Sequence, residues 1–528
     1  MRILLISTYE LGHQPLHVAS PAAALVSLGH EVTCLDLSVE PWDPAHLDAV
    51  GAVGISVPMH TAMRLALRVA EAIRTVDPTL AICLYGLYAG TSHDATVGTL
   101  ADRVISGEYE PALCEWVGSL DQSGVSGEAD DAGAGGAGAS GGPDAGGAQI
   151  VHLQRNRFNI PARHLLPPLD RYARLAVNGT QRLVGYVEAS HGCGFSCKHC
   201  PVPTVYGGRI RIVGLDTVLA DIDQLVEAGA THITFGDPDF LSGAQHSRRV
   251  ISEMHARHPK LTFDCTTKVE LVLKHRDLWP EFAAAGCLFV VSAFETTNDK
   301  ILAILDKGHT RADMIEATRV LRASGIEVRP SLMPFTPWTT ITDLVDLMDL
   351  VEEMDLVGNV DPVHYSIRLL VPEDSLLLDS PAMAPHLGDY LPEKLSYQWH
   401  PINEATDTLQ HRIAEIVETA AAGDQPLAIT YQQVRAEIRA AAGLGDEHCC
   451  VAQESIESAA NRPRLTEAWF CCAEPTDLQF EPISHGSSTV AAGSPGSLRQ
   501  PLLRRRLAPP TATSPQARSR DSFQPRDQ

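Results

Sequence analysis

The chain of 528 residues has few aromatic residues (5%), a shortage of basic relative to acidic residues, and no long apolar run. A transmembrane helix needs about 18 or more consecutive apolar residues, and no such run is present. The first apolar run, in MRILLISTYELG, is short and is followed by Glu10 and His13, so the core of a signal peptide is missing. With 65 acidic and 41 basic residues the formal net charge is −24, which argues against a general nucleic-acid-binding protein. We therefore expect a cytoplasmic protein that binds neither a membrane nor nucleic acid.

The 12 cysteines cluster in short spacings instead of spreading through loops, which argues against a disulfide scaffold. Three of them, Cys193, Cys197 and Cys200, lie in HGCGFSCKHC directly after the apolar run LVGYVEAS, which reads as a strand. Three close thiolates can bind three irons of a cubane [4Fe–4S] cluster and leave the fourth iron open to a ligand. A zinc site of the same cysteines with His191 or His199 is the alternative. The spacing alone leaves both open.

Hydrophobic periodicity predicts an α/β fold: an N-terminal doubly wound (Rossmann-like) domain, a partial (β/α)6 barrel and a helical C-terminal region. The Gly- and Ala-rich stretch that follows the first domain cannot bury enough apolar surface to form a core, so it reads as a flexible linker. The predicted ranges are 1–118 for the doubly wound domain, 119–149 for the linker, 150–182 for a connector, 183–382 for the barrel, 383–475 for the helical region and 476–528 for a disordered tail. The expected barrel strands lie at about 183–190, 231–236, 261–267, 287–294, 326–333 and 362–370.

The cysteine motif after a strand resembles the radical S-adenosylmethionine (SAM) superfamily. This resemblance implies that Cys193, Cys197 and Cys200 bind a [4Fe–4S] cluster and that the open iron chelates SAM. It further implies that electron transfer cleaves SAM to a 5′-deoxyadenosyl radical, which abstracts hydrogen from the substrate. Members often have an aromatic residue just before the last cysteine, where this chain has His199.

Further landmarks of that family follow in order. In THITFGDPDFL, Gly236 and Asp237 resemble the position that grips the SAM amino group. In VVSAFETTNDK, Ser292 and Glu295 resemble the position that contacts the ribose or methionine end of SAM. The segment VRPSLMPFTPWTT resembles the one that lines the adenine. The structural alternatives are a Gly-Asp-Pro turn, a helix cap and core packing, respectively.

The N-terminal segments SPAAALVSLGHEV and VGISVPMHT resemble a cobalamin-binding-type domain that precedes many radical SAM enzymes. The segment ISGEYE is similar to a closing motif of that domain, which marks Gly107 and Glu108 as candidate cofactor-binding residues. The D-x-H-x-x-G motif that supplies an axial histidine in some cobalamin proteins is absent. Bound cobalamin and an empty domain that only supports the barrel therefore both stay open.

The C-terminal segment AWFCCAEP matches the tail of the CUAEP/CCAEP-tail radical SAM proteins, some of which carry selenocysteine in place of Cys472. A position that accepts either sulfur or selenium suggests a nucleophile, a redox thiol or a metal ligand, so Cys471 and Cys472 are candidate catalytic residues. Two small buried residues beside Trp469 and Phe470 are the alternative.

The resemblance implies a radical SAM enzyme, with methyl transfer as the leading reaction if cobalamin is bound. The implied partners are a small-molecule or peptide substrate and an electron donor such as flavodoxin or ferredoxin. Two alternatives remain: a cobalamin-free radical SAM oxidase or rearrangement enzyme, and a non-catalytic protein with structural zinc.

Overall fold

The computed structural model describes residues 1–91, 96, 98–125, 150–153, 157–445 and 453–468. None of the helices in these ranges combines the length and apolar character needed to cross a membrane.

The N-terminal domain is built on a parallel sheet, as the alternating pattern predicts. Its strands are β1 (Arg2–Ser7), β2 (Glu31–Asp36), β3 (Ala52–Ser56), β4 (Ala81–Tyr85), β5 (Arg103–Gly107) and β6 (Ile150–His152). They lie in the order β2-β1-β3-β4-β5-β6. The central strands are apolar runs because helices cover both faces of a parallel sheet. These helices are α1 (Leu16–Ser27), α2 (His60–Val76) and α3 (Glu110–Val125).

The second sheet forms the partial barrel. Its elements and those that follow are β7 (Arg174–Val177), β8 (Thr180–Val187), β9 (Ser190–Gly192), β10 (Ile210–Ile212), β11 (His232–Phe235), β12 (Thr262–Thr266), β13 (Cys287–Glu295), β14 (Glu327–Leu332), β15 (Leu387–Leu391), β16 (Ser396–Trp399) and β17 (Arg464–Leu465). The sheet order is β14-β13-β12-β11-β8-β7-β17. The strands β8, β11, β12, β13 and β14 are mutually parallel. Their carboxyl ends therefore share one edge, where the ligand loops of such folds lie.

Helices follow the parallel strands and cover the outside of the barrel. They are α4 (Val202–Tyr206), α5 (Leu215–Glu227), α6 (Ala244–Arg257), α7 (Val269–Lys274), α8 (Trp279–Ala284), α9 (Asp299–Ile304), α10 (Arg311–Ala323), α11 (Ile341–Glu353), α12 (Ala405–Ala422), α13 (Leu427–Ala441) and α14 (Gln453–Asn461). The apolar stripes of α5, α6, α10 and α11 pack on the outer face of the sheet in one buried core.

The predicted sixth barrel strand at 362–370 is wrong in detail. Residues Pro362–Tyr365 form a short 3-10 helix, and only an isolated parallel bridge joins Phe335 to Arg368. A proline at the start of the segment favours this helical turn and lacks the N–H that a strand would use. The sheet grows at its other edge instead, because β7 and β17 add antiparallel pairing beside β8.

Two further differences concern the predicted boundaries. The segment predicted as a connector begins with β6, which pairs with β5 and so belongs to the first sheet. The region predicted to be helical contains the β15–β16 hairpin before α12.

The two domains share one apolar core. A single buried cluster combines Ile6 and Val53 of the first sheet with Leu305, Met333 and Trp399 from the barrel side. The continuous packing holds the N-terminal domain against loops that leave the barrel strands, which brings the carboxyl edges of both sheets together.

Candidate functional site

The cysteine motif forms a loop that starts directly after β9. Cys197 is buried, whereas Cys193 and Cys200 are half-buried and pack against the apolar cluster of Val202, Val205 and Tyr206. None of the three cysteines is in a disulfide. The loop thus presents three thiols in one short segment, as its spacing predicts.

The loop is fastened to the segment after α9. The amide of Lys198 donates to the carbonyl of Leu305 at 3.0 Å, and Ser196 Oγ donates to Asp306 Oδ2 at 2.7 Å. Its entry is tight as well, since Gly192 has a φ of +76° and a Cβ there would collide with the backbone of Arg209. These contacts fix where the thiols lie.

The three thiols of the loop are the donors available to a cluster or to a metal ion. Within the described residues, no three His, Cys, Asp or Glu side chains converge on a point that one metal ion would occupy. A cubane binds each cysteine at a different iron, so its ligands must stay apart. Both histidines of the zinc alternative already contact carboxylates: His191 lies 3.1 Å from Glu108, and His199 lies 3.2 Å from Glu295.

Asp237 holds the approach to the cysteine loop. Its Oδ2 accepts from the Ala189 amide at 2.9 Å and its Oδ1 from Ser190 Oγ at 2.6 Å. Burial raises the pKa of this carboxyl to about 7, against the lowering effect of the Ser190 hydrogen bond. Gly236 precedes it, and a Cβ there would overlap the ring of Tyr186. The predicted pair therefore sits where the first two barrel strands end, with Asp237 bound to the chain that leads into the loop.

Asp239 links the chain after β11 to the chain after β12. The sequence alone did not single it out. Its carboxylate accepts from Thr267 Oγ1 at 2.9 Å and from the Lys268 amide at 3.0 Å. Burial raises its pKa to about 6. The second aspartate of Gly-Asp-Pro-Asp was the available signal, since a fully buried carboxylate must find donors.

Ser292 and Glu295 both lie buried on β13 at the same edge. Ser292 Oγ donates to the carbonyl of Thr267 at 2.8 Å, which ties β13 to β12. Glu295 has a φ of +62° and lies 2.9 Å from the Lys307 ammonium. Burial raises the pKa of Glu295, but Lys307 and His199 outweigh that effect and hold the pKa below its ordinary value. Glu295 thus links the cysteine loop to a buried cation.

The segment expected to line the adenine is packed against the protein. Phe335 is buried, and its amide donates to the carbonyl of Ile367 at 3.2 Å. Trp338 Nε1 donates to the carbonyl of Ala382 at 3.0 Å. The backbone of Phe335 and the indole N–H of Trp338 are thus bonded to the chain that follows α11.

A buried network of carboxylates and histidines crosses the domain boundary; we call His17, Glu108, Glu188 and His191 the interdomain network. His191 lies 3.1 Å from Glu108 of the first domain and 3.2 Å from Glu188 at the end of β8. His17 lies 3.3 Å from Glu188, and Tyr206 donates to Glu108 at 3.1 Å. Burial lowers the pKa of His17, but the Glu188 carboxylate outweighs it and raises that pKa to about 9. Glu188 thus contacts both imidazoles, and Glu108 contacts that of His191.

This network uses one of the two residues that were predicted to close the cobalamin-binding-type domain. Glu108 pairs with the barrel, and His191 lowers its pKa against the raising effect of burial. Gly107 ends β5 with a φ of +81°, a conformation that favours glycine. Their role toward a cofactor stays a prediction.

The carboxyl edge of the first sheet carries buried hydroxyls that form no hydrogen bond within the described residues. Ser7 ends β1 and Ser56 ends β3, and the two are paired in register on adjacent strands. Ser106 lies one residue before the end of β5. Among the described residues, none of these three buried hydroxyls has a hydrogen-bond partner. Since buried polar atoms are normally paired, this edge fits a polar ligand such as cobalamin, whose amides and phosphate can bond hydroxyls.

Cys471 and Cys472 lie outside the described residues, so their predicted role stays a prediction. The chain just before them contacts both the barrel sheet and the N-terminal domain. β17 pairs with β7, and Tyr9 OH donates to Glu467 Oε1 at 2.8 Å. A Cβ on Gly12 would collide with the Glu467 side chain, so the N-terminal loop and the tail are in close contact.

Known proteins match the part of the chain that forms the barrel. Residues 187–351 match the family model of the radical SAM superfamily. The hopanoid C-2 methylase of Rhodopseudomonas palustris is 22% identical over 185 residues, which cover 34% of this chain and 34% of that enzyme. The chain thus spans about a third of the length of the curated relatives it matches.

Two solved structures share the wider architecture. TsrM from Kitasatospora setae, a radical SAM methyltransferase with tryptophan and a SAM analogue bound, gives a TM-score of 0.52 at 18% identity over 67% of this chain and 71% of that chain. The cobalamin-dependent SAM radical enzyme OxsB with aqua-cobalamin gives 0.59 at 13% identity over 80% of this chain and 67% of that one. At such identities, these likenesses show the fold alone.

Residues 187–351 of this chain therefore form a radical SAM domain, which this fold and match together define.

Proposed function

We propose that this chain is a radical SAM methyltransferase that uses a [4Fe–4S] cluster, SAM and cobalamin. The observation that carries the proposal is the meeting of two carboxyl edges across the interdomain network. One edge carries the cysteine loop, and the other carries the unpaired hydroxyls of Ser7, Ser56 and Ser106.

When bound, the cluster and SAM supply one-electron bond cleavage, and cobalamin supplies a methyl carrier. Cys193, Cys197 and Cys200 would hold the cluster. Asp237 holds the loop entry through Ala189, so its carboxylate positions the cysteines instead of pointing freely at SAM. The groups that would bind SAM are the backbone at Gly236, Glu295 and the strand ends beside them.

The N-terminal domain would hold cobalamin at the ends of β1, β3 and β5. Its cover over the barrel mouth also excludes water, which protects a radical reaction. The comparison proteins support the same assignment: the hopanoid relatives are named methylases, and TsrM is a methyltransferase that was solved with cobalamin and a [4Fe–4S] cluster.

The substrate we propose is a small molecule or a peptide. A formal net charge of −24 repels polyanions such as tRNA, which favours an uncharged, cationic or small acceptor.

The deciding experiment is anaerobic reconstitution of the full chain, with iron, sulfide, zinc and cobalt measured on the same sample. We expect about four irons and four sulfides, cobalt after production with cobalamin, and release of 5′-deoxyadenosine from SAM under dithionite. The Cys193→Ala/Cys197→Ala/Cys200→Ala protein should lose iron and SAM cleavage. One zinc without SAM cleavage would instead support the structural-zinc alternative, and a cluster with SAM cleavage but no cobalt would support a cobalamin-free enzyme.

A second measurement tests the cobalamin edge. The Ser7→Ala/Ser56→Ala protein should retain less cobalt at unchanged iron content, because only the first sheet is altered. Ser27→Ala, in the last turn of α1, is the matched control. Equal cobalt in both proteins would contradict the assignment of this edge.

A further inference from the structure

A large cavity opens beside the cysteine loop, on the outside of the barrel. It has a volume of about 650 Å³. Its walls are Gly194 and Phe195 of the loop, the start of α6 and the end of α7. The loop itself is therefore one wall of this cavity.

The charge of this cavity is opposite to that of the chain. Arg249 and Lys274 line it together with His246 and His275, and none of its lining residues is Asp or Glu. Arg249 and Lys274 are exposed, and among the described residues neither forms an ion pair with a carboxylate. A carboxylate-free basic concavity is notable in a chain of 65 acidic and 41 basic residues.

The cavity also gives direct access to the loop. Gly194 is exposed and lies next to Cys193, so no side chain stands between solvent and the backbone there. Another side of the loop faces the N-terminal domain, where His191 and Tyr206 contact Glu108. An electron that must reach a cluster on this loop has a short path through the cavity.

We propose that this cavity is the docking surface for an acidic one-electron donor protein; the proposal rests on the proposed function because it presupposes the cluster. A donor with acidic residues around its redox centre is repelled by most of this chain and attracted at Arg249 and Lys274. Opposite potentials of this kind steer association and fix orientation. The donor would release one electron to the oxidised cluster and leave with its own centre oxidised by one electron.

The test uses the reconstituted full chain with Arg249→Glu/Lys274→Glu and reduced flavodoxin as the probe. We expect the rate of cluster reduction, followed by stopped-flow absorbance, to fall at least about tenfold at low salt. The wild-type rate should decline as salt is added, because salt screens exposed charges, and the variant should lose this dependence. SAM cleavage with excess dithionite should remain at the wild-type level, because that reductant needs no docking.

Lys260→Glu/Arg319→Glu is the matched control, since it makes the same change in net charge at exposed residues that do not line the cavity. It should leave the flavodoxin rate close to that of the wild type. Equal rates in the wild type and the Arg249→Glu/Lys274→Glu protein would overturn the proposal and indicate that the cavity binds a small anion. Equal slowing in the control would also overturn it, because the effect would then follow from net charge alone.

Binding of oxidised flavodoxin, measured by calorimetry at low salt, distinguishes failure of the docking surface from failure of the proposed function. This binding requires neither SAM cleavage nor cobalamin. Failure of wild-type SAM cleavage with dithionite would contradict the proposed function, whereas unchanged flavodoxin affinity in the variant would contradict the docking surface.

Discussion

The ion pair between Glu295 and Lys307 should be the most costly charge pair to break near the candidate site. Both side chains are almost fully buried, with exposed fractions of 7% and 4%, and their charged atoms lie 2.9 Å apart. At an effective dielectric constant of about 20, this separation gives an attraction of about 6 kcal/mol before the cost of desolvation. Replacing Glu295 by Gln leaves the ammonium buried without its carboxylate.

We expect Glu295→Gln and Lys307→Met each to lower the free energy of unfolding of the barrel by about 3–5 kcal/mol, the usual cost of leaving one buried charge alone. The double variant should lose much less than the sum, because no charge is then left unpaired. A coupling energy of about 2–4 kcal/mol is expected from the double-mutant cycle.

Native-state hydrogen exchange of the β13 amides is the suitable assay, because a chain with more than one domain need not unfold in one step. Glu281→Gln is the matched control: Glu281 pairs with Arg248 at 2.9 Å but is 40% exposed, so its loss should cost less than about 1 kcal/mol. Additive effects of the two single substitutions, or a Lys307→Met cost no larger than that of the control, would refute the argument.

Three further predictions concern other parts of the molecule. The pKa of His17 is raised to about 9, so protonated His17 should stabilise the fold by about 3 kcal/mol. This contribution should be complete below pH ~6.5 and be lost as the pH rises through about 9. The Tm should therefore fall over that range, and it should fall less in His17→Gln. Gly236→Ala should displace the Tyr186 ring and destabilise the barrel by about 1–3 kcal/mol, measured by denaturation against Gly214→Ala. Cys472→Ser should lower substrate turnover at unchanged iron content if that thiol takes part in the reaction, and turnover at the wild-type rate would show that it does not.

Local pattern was enough to predict much of the fold. The apolar runs of β1, β3 and β8 and the stripes of α2 and α5 have periods that indicate strand or helix without further information. The cysteine loop could be located because its motif is continuous in the chain. The same reasoning failed for β6, which lies beyond a long Gly-rich segment, and for β17, whose two residues carry no period at all.

The sequence indicated where the candidate site residues lie along the strands, but it did not indicate which residues they contact. Asp237, Ser292 and Glu295 were recognised as residues near strand ends, and the structure brings those ends to one edge. Their partners come from other elements: the Ala189 amide, the Thr267 carbonyl and Lys307. Register between distant strands decides such pairs, and one sequence does not reveal it. The interdomain network was missed for the same reason.

The short strand β17 has a consequence for how the molecule is made. It pairs with β7, and two residues after it Glu467 contacts Tyr9, 458 residues earlier in the chain. Both domains are therefore finished only after residue 467 has left the ribosome. Until then β7 is an unprotected sheet edge, open to pairing with other chains. Shortened versions that end before Arg464 should therefore aggregate during synthesis even though Cys193, Cys197 and Cys200 are present in them.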